Sequence, residues 1–96
     1  MEDIEIIFHI EDRCIPADVS KGSTIVNVIR EFEEICQGDE ALTLRRLDFA
    51  PTFSMIQDGT KREIKRKYIF SGGEEVHVGW SPLKLQVTNL HCGFCQ

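Results

Sequence analysis

What this sequence lacks narrows it first. No apolar run within its 96 residues approaches the roughly 20 that a helix needs to cross a bilayer, so no membrane association is expected. A basic excess is missing as well. Eleven Lys and Arg stand against 16 Asp and Glu, a formal net charge of -5, whereas a domain that wraps nucleic acid is basic. The opening stretch, MEDIEIIFHI, is acidic where a secretory leader would be basic, and it reads as part of the fold. A cytoplasmic location is therefore expected, with the nucleus as the other compartment. In that setting the four cysteines read as free thiols or metal ligands rather than as two disulfides. There is no phosphate-cradling glycine loop and no G-x-S-x-G elbow. No carboxylate stands in an apolar setting that would tune it as an acid or base. An enzyme is not expected.

What is present is organised around Lys21–Gln37, KGSTIVNVIREFEEICQ. Ser23 or Thr24 offers a hydroxyl to cap a helix start. Ile25, Val28, Ile29, Phe32, Ile35 and Cys36 then fall on one stripe at helical spacing, and Arg30, Glu31, Glu33 and Glu34 take the other face. Gly38 follows where a left-handed cap favours glycine. One apolar stripe needs one sheet to cover it.

The flanking segments supply strands. Ile4, Ile6, Phe8 and Ile10 alternate with Glu5 and His9. After the polar turn Glu11-Asp12-Arg13, the segment Cys14–Val19 returns with Cys14 or Ile15, Ala17 and Val19 available to the core. Pro16 lacks a ladder N–H, which places this strand at an edge or on a bulge. A third strand is expected over RRLDFAP, with Leu47 and Phe49 on one side and Arg46 and Asp48 on the other, ending at Pro51. Phe53, Met55 and Ile56 lead to the turn signal Asp58-Gly59. A basic run follows, and Ser71-Gly72-Gly73 turns into a last strand at Glu75–Trp80, with Val76 and Val78 inward and His77 outward. The expectation is an α+β domain: a mixed sheet of four to five strands packed on one helix at about residues 23–37. The domain is assigned to residues 1–87, with 88–96 as a tail.

At TIVNV (24–28) and RRLDFAP (45–51) the chain resembles ubiquitin and its β-grasp relatives. The preceding hairpin, the Asp58-Gly59 turn and the glycine turn before EEVHV stand in the matching order, so the resemblance covers roughly residues 4–80. It implies a β-grasp fold. The departures bear on function. The conjugated members end in a flexible Gly-Gly tail, whereas Gly72-Gly73 precedes the last strand and the chain closes in Gly93-Phe94-Cys95-Gln96. A non-conjugating member is therefore expected, the alternative being a modifier processed from a longer precursor. The family's apolar recognition patch lies on its third and last strands. The matching positions are Asp48, His77 and Gly79, so a partner would read Arg46, Asp48 and His77 instead, or another face altogether.

Two further groups carry chemistry. Lys61, Arg62, Lys65, Arg66 and Lys67 form a compact basic run able to steer an acidic protein partner. Only Tyr68 borders it, so aromatic platforms for single-stranded nucleic acid are missing. His91, Cys92 and Cys95 form HCGFC, a spacing that chelates zinc or closes a redox disulfide. The redox site of a thioredoxin needs a helix after the first thiol, which the penultimate position of Cys95 precludes. A four-ligand zinc site would need a further donor from Cys14, Cys36, His9, His77 or a second chain. The iron–sulfur loop of the plant-type β-grasp proteins is missing. Cys14 and Cys36, with apolar neighbours, read as core residues. The function expected is a non-catalytic interaction module, an adaptor or a subunit of a larger assembly with no resident cofactor. The alternative is a zinc or thiol function of HCGFC.

Overall fold

A computed structural model describes residues 2–83 of the chain. The last residues of the expected domain and its HCGFC tail lie outside them. The described residues form an α+β unit with a mixed five-stranded sheet and two helices. None of these helices is long and apolar enough to cross a membrane.

Strand β1 (Asp3–Ile10) pairs antiparallel with β2 (Arg13–Ser20) through a two-residue turn at Glu11 and Asp12. The register sets Phe8 opposite Ile15 and Ile6 opposite Ala17, so these side chains share the covered face, and His9 and Cys14 share the other. Cys14 is consequently exposed, not a core residue; Ile15 takes the inward position. Pro16 lies on an edge strand, where a missing N–H costs no ladder bond.

Helix α1 (Ile25–Gln37) opens at Thr24, whose N–H donates to the Asn27 side chain at 3.3 Å. It buries Val28, Phe32 and Cys36 against the sheet. Phe32 sits at the centre, its ring 5.2 Å from Phe53 edge-on, 5.9 Å from Phe8 and 6.0 Å from Trp80. Gly38 does not take the left-handed cap expected of it; its φ is -91°. The chain runs straight on into a second helix.

That helix, α2 (Glu40–Asp48), corrects the expected third strand and the expectation of a single helix. Asp39 caps it, its carboxylate accepting from the Leu42 N–H at 3.1 Å. Glu40 in the first turn and Arg45 and Arg46 in the last complement the helix dipole. Of the residues between, Ala41, Leu42 and Leu44 are good helix formers. Only Leu42 is buried, and Leu47, expected inward on a strand, is exposed. Side-chain bonds hold the helix in place. Arg46 reaches Glu33 on α1 at 3.4 Å, Arg45 pairs with Glu11 in the first turn of the chain, and Arg13 pairs with Asp39 at 2.9 Å.

Strand β3 begins only at Phe49 and runs through Pro51 to Gln57. Pro51 is tolerated because β4 (Thr60–Glu63) pairs only with Ser54–Gln57, leaving β3 a neighbour on one side at that point. Asp58 and Gly59 join the two strands, both at positive φ, as a primed two-residue turn requires. Ile64, Phe70 and Val76 then complete the core, and β5 (Glu75–Pro82) enters between β1 and β3, parallel to the first and antiparallel to the second. The strand order is β2-β1-β5-β3-β4. Helix α1 covers one face of this sheet. The outward residues of the other face carry no layer among the described residues.

Candidate functional site

The bare face is laid out by register. Cys14, His9, His77, Ser54 and Glu63 form one row across all five strands, each directly opposite the next. Pro16, Ile7 and Glu75 form the adjacent row on β2, β1 and β5. The His9 and His77 rings stack 4.5 Å apart and nearly parallel, at 9°. His9 Nε2 lies 2.7 Å from Glu75 Oε1, and His9 Nδ1 lies 3.4 Å from Cys14 Sγ. Partial burial, His9 alongside and Lys61 nearby hold the His77 ring below the usual histidine range, and Glu75 opposes them. At Gly79 an added Cβ would stand 2.7 Å from Thr52 Oγ1, so a side chain there would displace that hydroxyl.

Beyond His77 the loop 71–74 is clamped by Glu74. Its carboxylate accepts from the Tyr68 hydroxyl at 2.8 Å, the Ser71 N–H at 2.8 Å, the Ser71 hydroxyl at 3.3 Å and the Gly72 N–H at 2.7 Å. Burial pushes the Glu74 carboxyl up, but these donors outweigh it and hold the group below the usual carboxylate range. Burial and the same carboxylate push the Tyr68 hydroxyl up.

The basic run occupies the far edge of the sheet. Lys61 and Arg62 lie on the edge strand β4, all of whose residues are exposed. Ile64 is buried and its N–H donates to Phe53 O at 3.1 Å, extending the ladder one residue further. Lys65, Arg66 and Lys67 follow as an exposed turn, closed by the Tyr68 N–H donating to Lys65 O at 3.1 Å. Buried Ile64 and half-buried Tyr68 thus anchor the segment while its bases project. Among the described residues no acid lies within ion-pair distance of these five bases or of Arg30 on α1, whereas Arg13, Lys21, Arg45 and Arg46 each have one. A hollow of about 320 Å³ opens beside the run, floored by Met55, Ile64 and Tyr68 and rimmed by Arg62, Lys65 and Lys67 together with Glu63 and Gln57.

The sequence-derived interaction set is therefore split. His77 belongs to the bare face, and the five bases to its edge. Arg46 and Asp48 stand on α2, away from the strand positions expected of them, because the capped helix takes their segment. Arg46 is engaged with Glu33, and the Asp48 carbonyl accepts from the Leu83 N–H at 3.0 Å. His91, Cys92 and Cys95 lie outside the described residues. The grouping of His9, Cys14 and Glu75 with His77 comes from the parallel pairing of β1 with β5, a contact between segments 66 or more residues apart. Outward alternation at His9 and His77 is its only signal in the sequence.

No family model matches the chain, no curated protein matches it in sequence, and no solved structure matches it in fold.

Proposed function

We propose that this chain is a non-catalytic, ubiquitin-like β-grasp domain that serves as an adaptor or subunit by docking an acidic protein partner along its β4 edge. Compatible with the fold reading are the opening hairpin, the helix across one face of the sheet and the last strand set beside the first. The TIVNV half of the family resemblance falls at the start of α1. The RRLDFAP half is shared between the end of α2 and the start of β3, and so does not support a family strand there.

The observation that carries the functional reading is the pairing pattern of the bases. In a chain of net charge -5, charges that serve the fold are neutralised locally, as at Arg13, Arg45 and Arg46. Five projecting bases, none of them in an ion pair and interrupted only by the exposed Glu63, lie along a strand edge with unpaired backbone groups and form a net positive field that attracts an acidic chain and orients it on approach. An edge strand also offers its free N–H and C=O groups to an added strand. The hollow behind the bases suits an acidic segment bearing one apolar side chain.

The test is affinity capture of the tagged full chain from its own cells, run beside a variant in which Lys61, Arg62, Lys65, Arg66 and Lys67 are all glutamate. A stoichiometric protein retained by the parent, released by raised salt and missing from the variant is the expected result. Recovery of the same protein by both forms would place docking elsewhere and contradict the proposal.

A further inference from the structure

We propose that His9, Glu75 and His77 form a binding site for a divalent transition-metal ion of the zinc class on the bare face of the sheet. One donor atom from each lies within 4.8 Å of the others. A tetrahedral ion with bonds of about 2.0–2.2 Å holds its donors about 3.3–3.6 Å apart and lies in the plane of each imidazole it binds, so closing the set turns one of the two stacked rings out of the stack, a side-chain rotation that moves no strand. Two imidazoles and one carboxylate suit zinc, copper or nickel, whereas magnesium and calcium favour all-oxygen shells.

The framework is rigid where it needs to be. His9 and His77 are direct partners on paired parallel strands, and Glu75 is two residues before His77 on the same face. His9 is also braced from its far side. With Nδ1–H donating to Cys14 Sγ, Nε2 is left to bind the ion. In the metal-free molecule a hydrogen bond joins His9 Nε2 to Glu75 Oε1 across 2.7 Å; with the ring's single N–H on Nδ1, the ion takes the place of that hydrogen bond. Three protein donors leave a fourth position facing outward, open to water or to a donor from a docked partner. Lys61, close enough to His77 to bear on its charge, opposes the ion, and the Glu75 carboxylate offsets it. Its ligands are on β1 and β5, not on the docking edge.

The experiment uses the full chain carrying Cys92→Ser and Cys95→Ser, so that the tail thiols bind nothing. Zn²⁺ is titrated calorimetrically into this parent and into the same protein with His9→Ala or His77→Ala, with circular dichroism confirming that each is folded. The expected result is one ion per chain with a dissociation constant at or below about 1 μM, weakened at least about tenfold by either alanine. A weaker parent affinity, or a smaller loss in either variant, overturns the proposal. Should a variant fail to fold, the ¹⁵N shifts of the histidine rings in the parent decide the same question. Both His9 and His77 must move on adding Zn²⁺; a spectrum in which either is unchanged refutes the site.

Discussion

Glu74 shows how a single side chain can hold a segment together. One carboxylate satisfies two backbone N–H groups and two hydroxyls across the Gly72-Gly73 turn, both of whose glycines are at positive φ. Hydrogen bonds to a charged group contribute about 1.5–3 kcal/mol, so Glu74→Ala is expected to cost about 2 kcal/mol in urea denaturation at neutral pH. The folded carboxyl titrates below its ordinary value, so the unfolded chain binds the proton first. This contribution is therefore complete above the ordinary carboxylate range and is lost as pH falls through the lowered folded value. The stability gap between parent and Glu74→Gln should accordingly close in acid; a gap unchanged from neutral pH to pH about 2 would contradict the assigned contacts. At the same scale, alternation alone does not choose between Cys14 and Ile15. The choice follows from β1–β2 register, which opposes Ile15 to Phe8 and leaves Cys14 beside His9.

Between elements, the two helices differ in what holds them. Helix α1 is a packed element whose apolar stripe is plain in the sequence, and Phe32 is its central contact. Phe32→Ala is expected to cost about 3–5 kcal/mol, a large share of the roughly 5–15 kcal/mol that holds a domain together. Denaturant midpoints measure it directly, and a loss under about 1 kcal/mol would mean that the helix does not seat there. Helix α2 buries only Leu42, so its sequence carries no stripe, and the alternation of Leu47 with Phe49 reads as a strand. Its determinants are the Asp39 cap, a signal in the sequence, and the ion pairs to Glu11 and Glu33, which exist only once the chain has folded. Asp48 is exposed at the C-terminal end of α2, where a cation suits the dipole. Asp48→Lys should leave stability within about 0.5 kcal/mol of the parent, or slightly above it. A loss of several kcal/mol would mean that this end is buried in a contact.

At the scale of the whole molecule, the paired bases of the described residues and the unpaired basic run fall in different places. The bases near α2 and the chain's first turn are paired, and those of residues 61–67 project unpaired from the sheet edge. That run is conspicuous in the sequence. That Lys61 and Arg62 sit on an edge strand beside a hollow is a property of the strand order alone. The histidine pair depends likewise on the last strand settling beside the first, a long-range pairing that no local pattern encodes. Docking on the edge rather than on the helices is the central claim, and hydrogen–deuterium exchange of the purified complex against the free chain tests it most directly. The account predicts slowed exchange across residues 60–67 on partner binding, with α1 and α2 unchanged. Protection confined to the two helices, with residues 60–67 exchanging as in the free chain, would contradict it.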